Sequence, residues 1–530
     1  MKKILSSLIL LISSSNLLTA QLLGDTLNIG NVRTLIYNET TLFWDPVGQS
    51  NHYVVPKGSG KQTMFAGDIW MGGMDISNQL HLAAQTYRQS GDANFWPGPL
   101  DISNATAGNA TTWNLIWKVS RAEIINHIAN WNTPGYIIPA SISSWPGNAP
   151  SGSNYSPVLA PFFDGNANQI YEPQLGEFPV IFGDQAIYFI CNDNFLPNAT
   201  NNPNMKIEVH GMFYAFSDPA HPFIDNTVFC RYQIINRSGI DYHDVRFGMW
   251  TDGDLGNAND DYFGTDVGRN MFYYYNGDSD DEGPGGYGLN PPAQGVLFMN
   301  HQITSTLYYK NVNNDPSGNP GLQGDYYQYM NAAWLDGLPL TYGADGRNAG
   351  SPTCLYMFPE LTDPANPTLW TMASAVISPT EIRAIGAVSL PNFNANQVFT
   401  FDIAFTTSFP GSGGPAASIV ALQEDVDSIM ARYTAGTITS TEELHAEINN
   451  TSINIYPNPV SDYAVLSFTS DKNEKGQIII TSVDGKQVAV YNNADTSKSI
   501  RISKKDFAPG MYLVTAKFPG KTITQKMIIN

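Results

Sequence analysis

Side chains alternate in polarity along most of this chain. In Val398–Phe405, Phe399, Phe401, Ile403 and Phe405 share one face while Thr400, Asp402 and Ala404 share the other, the period of a half-buried strand. Lys206–Phe216, Thr227–Ile235, Tyr242–Trp250 and Ile382–Leu390 read the same way, joined by Asn, Gly, Pro and Asp. A chain with this period stacks antiparallel sheets, so the expected class is mainly β, an antiparallel β-sandwich body. One helix is expected to close that body. In Ala416–Tyr433, Ile419, Leu422, Val426, Ile429 and Tyr433 recur at intervals of three and four, and Gly436 stops the run.

Hydrophobic residues make up 42% of the 530 residues and aromatics 12%, enough for large packed cores, which excludes disorder, collagen and coiled coil for the bulk of the chain. The net charge of −20 argues against nucleic acid as a partner, because no basic excess is available to displace counterions. That charge is unevenly spread. Residues 451–530 hold ten Lys and Arg against six Asp and Glu, a net +4, whereas residues 22–450 hold 15 against 41, a net −26. The change in sign at Thr451 marks a domain boundary. Beyond it, short alternating runs separated by Pro457-Asn458-Pro459, Asp484-Gly485 and Pro509-Gly510 indicate a small C-terminal β-sandwich.

The first 20 residues have a basic start (Lys2, Lys3), an apolar stretch from Ile4 to Ile12 and a small residue at Ala20, the build of a secretory signal peptide cut after Ala20. No later stretch is long enough to cross a bilayer as a helix, so the mature chain is expected to lack a transmembrane segment. The organisation is then a signal peptide at 1–20, a β-rich body of one or two subdomains at 21–433, a polar linker at 434–450 and a C-terminal domain at 451–530.

Four ordered motifs lie in that last domain: INIYPNPV (Ile453–Val460), SVDGKQV (Ser482–Val488), FAPGMYLV (Phe507–Val514) and KMIIN (Lys526–Asn530). Together they resemble the type A C-terminal sorting domain of the type IX secretion system. The resemblance implies recognition by the type IX machinery through residues 451–530, and secretion from a Gram-negative bacterium or anchoring at its outer surface. The order of GEFPVIFGDQAIYFICND (Gly176–Asp193), NTVFCRYQIINRS (Asn226–Ser238), TDGDLGNANDDYFGTD (Thr251–Asp266), YYYNGDSDD (Tyr273–Asp281) and YGLNPPAQG (Tyr287–Gly295) resembles a group of large secreted proteins with the same tail, and supplies no catalytic residue.

Nine carboxylates fall within the 31 residues Asp252–Glu282, balanced only by Arg269. Such crowding costs repulsion unless a cation or solvent intervenes. Calcium takes six to eight hard oxygens from alternate loop positions. Asp252-x-Asp254-x-Gly256 and Asn276-x-Asp278-x-Asp280 supply that alternation, so Asp252, Asp254, Asp260, Asp261, Asp266, Asp278, Asp280 and Asp281 are candidate ligands of a structural calcium ion. A second candidate loop offers Asp164, Asn166, Asn168 and Glu172 at positions 1, 3, 5 and 9 of a calcium loop, with Gln169 where glycine is usual and no glutamate at position 12.

Catalytic patterns are scarce in the sequence. HExxH and GxSxG are absent, the eight histidines are scattered, and Val55 stands where a phosphate loop ending at Gly60-Lys61 requires glycine. Cys191 and Cys230 lie in apolar strand context, as buried thiols or one disulfide. Six of ten tryptophans (Trp70, Trp96, Trp113, Trp117, Trp131, Trp145) lie within 76 residues, where rings could stack on sugars or, as the commoner outcome, fill a core. Two functions therefore compete: a calcium-stabilised surface protein that binds or adheres to a glycan or a surface protein, and an extracellular polysaccharide-acting hydrolase using paired carboxylates.

Overall fold

A computed structural model describes residues 23–530 apart from 89–92, 196–202, 323, 439, 442–443, 445–451, 470–474, 483–485 and 519–520. The expected signal peptide lies outside the described residues. The molecule is mainly β, and two antiparallel sheets form its centre. The long sheet runs from edge to edge through Trp117–Ser120, Gln185–Asn192, Ile207–Ala215, Thr227–Asn236, Val398–Ser408, Ala293–Phe298, Met271–Asn276 and Asp261–Asp266. The short sheet follows the order Ser305–Lys310, Ile382–Phe393, Tyr242–Gly253, Ala66–Met74 and Leu80–Ala84.

The alternation read in Val398–Phe405 is what stacks these sheets. Phe401, Ile403 and Phe405 enter one core with Phe247, Met249 and Ile385 of the short sheet, and the rings of Phe247 and Phe401 stack with centroids 3.8 Å apart. Each such side chain contributes about 1.5–3 kcal/mol of burial. Close strand packing has its own requirement at Gly211, where a Cβ would come within 2.4 Å of the Phe189 ring.

The body has a third layer that alternation alone does not announce. The outer face of the long sheet forms a second core through Tyr188, Met212, Tyr214, Phe229, Tyr273 and Leu297. Helix Gly414–Thr434 covers part of it with Leu422, Val426 and Ile429, three residues of the periodic stripe. Gly295 leaves room for Leu422, whose Cδ1 would lie 3.1 Å from a Cβ there. A further helix, Arg121–Asn130, covers another part; Ser120 caps it and exchanges hydrogen bonds with Glu123, while Ile124 and His127 face inward. Among the described residues of 434–450, Thr441 is buried and docked onto the body, its hydroxyl accepting from the Ile181 N–H at 2.9 Å.

Residues 452–529 build a separate small sandwich. One sheet orders Ser452–Tyr456, Tyr463–Thr469 and Ile500–Ser503, and the other orders Gln487–Asp495, Lys475–Ser482, Gly510–Phe518 and Lys521–Ile529. Its core of Ile453, Val460, Leu466, Ile480, Val514 and Ile529 shares no residue with the two body cores. No helix among the described residues is long and apolar enough to cross a membrane.

Candidate functional site

Asp252, Asp254, Asp260 and Asp261 lie where a strand of the short sheet ends beside the edge strand of the long one. Asp252 closes the strand Tyr242–Gly253, opposite Arg383. Asp261 opens the edge strand of the long sheet, directly opposite Asn276. The loop from 254 to 260 spans the gap. Leu255 N–H donates to Asp261 Oδ2 at 2.9 Å, and Asn257 Nδ2 donates to Asp260 Oδ2 at 3.1 Å. Gly256 has φ +69, and a Cβ there would lie 1.9 Å from Asp281 Oδ2, so only glycine fits.

Five oxygens in this region are buried without a hydrogen-bond partner in the chain: Oδ1 of Asp252, Asp254, Asp260, Asp261 and Asn276. An unsatisfied buried polar group costs about 1–3 kcal/mol, and more when charged. The other Asp252 oxygen accepts from Tyr87 Oη and from Arg383 Nε at 3.4 Å. Tyr87, Arg383 and Glu381, which forms an ion pair with Arg383 at 2.9 Å, belong to this neighbourhood and were not expected from the sequence, because they lie far along the chain from the acidic stretch.

Burial holds the Asp252 and Asp254 carboxyls above their ordinary values, opposed at Asp252 by the Arg383 charge and reinforced at Asp254 by the Asp252 charge. Burial also pushes Asp260 up to about 6, with the Asp281 charge adding to it. A carboxyl whose folded value is raised stabilises the fold fully below its unfolded value, and that contribution is lost as pH rises through the folded value. The cation-free chain is therefore expected to lose melting temperature from about pH 4 to about pH 8, and a flat profile over that range would contradict the assignment. Glu208 does not contribute there. Burial opposes its ionisation, but His210 and Arg237 lower its value to about 2, so its stabilisation fades only in stronger acid.

Other expected ligands are placed elsewhere or are already satisfied. Asp266, at the far end of its strand, receives Arg269 Nη1 at 3.0 Å and Gln423 Nε2 at 2.9 Å, so its charge is neutralised by the chain. Both Asp281 oxygens accept backbone N–H groups, from Asn257 at 3.1 Å and Tyr287 at 2.7 Å. Asp278 is exposed and accepts from the Asp280 N–H at 2.9 Å, a turn contact. In the second loop, Asp164 accepts from the Asn168 and Gln169 N–H groups, and the amides of Asn166 and Asn168 both donate to Glu172. Gln169 adopts φ +62 where glycine is usual. Buried Glu177, missed in the sequence because it lies outside the loop's repeat, accepts from the Gly165 and Glu172 N–H groups. No three His, Cys, Asp or Glu side chains among the described residues stand together as a metal-binding group.

None of the six clustered tryptophans is fully exposed. Trp70, Trp117 and Trp145 are buried, and Trp96, Trp113 and Trp131 are half-buried. A shallow pocket of about 620 Å³ beside the helix Gly414–Thr434 has one carboxylate, Glu424, among apolar and small residues such as Phe409, Ala417 and Val420. All three cysteines are buried free thiols. His210 is a structural histidine, held between Glu208 and Tyr188 at 2.9 and 2.8 Å.

In the small C-terminal sandwich, Lys526–Ile529 of the last motif lie on the final strand against Gly510–Phe518, which carries most of FAPGMYLV, whereas residues 483–485 of SVDGKQV lie outside the described residues. Residues 454–530 match the secretion system C-terminal sorting domain. The chain is thus a secreted one, of a class frequently attached at the cell surface, and its sorting domain implies recognition by the type IX machinery. No curated protein matches the chain. Among solved structures, one polysaccharide lyase is similar at 9% identity over 61% of this chain and 34% of that one, with a TM-score of 0.18. The chain thus spans about a third of the lyase, a likeness that carries no argument about fold or function.

Proposed function

We propose that this chain is a type IX cargo whose body is a calcium-stabilised binding or adhesion module acting on a glycan or protein at the cell surface. The five buried, unpartnered oxygens of Asp252, Asp254, Asp260, Asp261 and Asn276 carry this reading. Carboxylates and an amide oxygen that are out of water and unpaired suit a hard divalent cation, which prefers oxygen ligands in flexible geometry. Because no three acidic side chains among the described residues form one cluster, the ion would be held by carboxylates in pairs, with Asn276 and backbone carbonyls completing its shell. An ion there would tie the end of the short sheet to the edge of the long one, leaving exposed loops free to bind.

Chelation tests the calcium part. At calcium 100 times its Kd, binding to the folded state alone stabilises by about 2.7 kcal/mol, so EDTA is expected to lower the melting temperature and calcium to restore it. An unchanged melting temperature, with no calcium in the purified protein by elemental analysis, would remove the ion from the proposal. Adhesion is read by comparing attachment of cells with and without the chain, in calcium and in chelator. Equal attachment in every arm would exclude the binding role.

A further inference from the structure

The two sheets of the C-terminal sandwich present outer faces of different chemistry. On the four-stranded sheet the registers set outward side chains side by side: Val490, Ile479, Thr515 and Thr524 share one row, Thr481, Leu513 and Lys526 the next, and Met511 and Ile528 a third. The hydroxyls of Thr515 and Thr524, 3.1 Å apart, mark the shared face. Their neighbours along the strands, Ile478, Ile480, Val514 and Met527, fill the core, so the alternate positions point away from it. A sheet with one buried face usually turns polar residues outward. Here the outward face is apolar at its centre as well, with Met511 and Leu513 each 41% exposed. Lys517 and Lys526 are exposed on it, and residues 477–481, 488–492, 511–517 and 524–528 include no Asp or Glu. The three-stranded sheet offers less. Asn454 and Ser467 face outward there as a polar pair, and the Tyr463 ring is already covered by the Arg501 guanidinium, 3.7 Å from its centroid.

We propose that the outer face of the four-stranded sheet is the surface by which the type IX machinery holds this chain, and that its counterpart is an apolar protein surface rimmed by carboxylates. This rests on the reading of residues 454–530 as a sorting domain and adds which side of the domain is held.

Charge selects the occupant. Residues 22–450 carry a net −26 and residues 451–530 a net +4. An acidic partner is repelled by the body and attracted by the tail, so it takes the cargo by one end and discriminates against the rest of the same molecule. The apolar rows supply the contact that such steering alone does not, since side chains buried at the centre of an interface carry most of its binding energy. A second copy of this chain is a poorer occupant, because two such faces pressed together bring lysines against lysines.

Export of full-length variants, read as secreted against periplasmic amounts, tests this. Leu513→Asp and Met511→Asp each place a carboxylate on the face at a position already open to solvent, so the purified chains are expected to melt as wild type does. Secretion of each is expected to fall about tenfold, the loss of one interface anchor. Leu513→Lys removes the same side chain without adding negative charge and is expected to keep more export than Leu513→Asp. Val465→Asp, on the outer face of the three-stranded sheet opposite Arg501, is expected to be exported normally. Normal export of both Leu513→Asp and Met511→Asp would overturn the proposal, and so would an equal loss in Val465→Asp. Equal export of Leu513→Lys and Leu513→Asp would overturn the acidic counterpart. Secretion of a chain without residues 451–530 would instead overturn the sorting reading itself.

Discussion

Cells expressing the chain without residues 451–530 are expected to retain all of it in the periplasm. The sorting domain has a hydrophobic core of its own, so its removal takes no apolar residue from the cores of the body. The effect should then be one of recognition rather than folding, and the retained body should melt as it does in the full chain. A smaller deletion sharpens the point. The last strand, Lys521–Ile529, pairs along its whole length with Gly510–Phe518, and the Val460 N–H donates to the Ile528 carbonyl at 2.7 Å, closing the small sandwich. Removing only residues 526–530 breaks that closure and exposes Met527 and Ile529 partners in the core, so export should fall nearly as far. Fractionation and immunoblotting of periplasm, outer surface and medium provide the measurement. Wild-type amounts of truncated protein in the medium would show that export does not depend on the domain matched at 454–530.

The parts of the fold most legible in the sequence are those with a clear period. Gly414–Thr434 packs through the stripe its period shows, whereas Val398–Ser408 alternates as expected but is buried on both faces from Phe401 onward, not half-buried. The third layer was harder to read. Ile207–Ala215 is buried on both faces, one against the short sheet and one against the helical layer, and a strand's own sequence does not say what lies beyond its second face. Helix Arg121–Asn130 is short and largely polar; its one signal was the Ser120 to Glu123 spacing of a capping box. The acidic loops were visible as composition, but which acids remain unpaired depends on distant partners. Arg269 and Gln423 remove Asp266 from the candidates, while Asn276 joins them across a strand pair.

Replacing Arg231 with alanine is expected to cost about 3–5 kcal/mol, because it strands a buried carboxylate. Asp402 is 2% exposed in the centre of the long sheet. Arg231, opposite it on the neighbouring strand, donates through Nε and Nη2 to the two Asp402 oxygens, both at 2.7 Å. The guanidinium also lies over the Phe182 ring, 4.4 Å from its centroid. Tyr433, in the last turn of the closing helix, donates its hydroxyl to Asp402 Oδ2 at 2.5 Å. One carboxylate thus joins two strands of the sheet and the helix that covers them. Removing the arginine leaves a charge that the tyrosine alone cannot balance, whereas Tyr433→Phe removes one bond to a charged group and should cost about 1.5–3 kcal/mol. The double variant Arg231→Met with Asp402→Leu removes both charges and replaces them with apolar volume, so it should recover most of the loss. Urea midpoints followed by tryptophan fluorescence separate these cases. Equal midpoints for wild type and Arg231→Ala would mean that the pair contributes nothing to the stability of the body. A double variant no better than the single one would place the loss in the Phe182 contact rather than in the stranded charge.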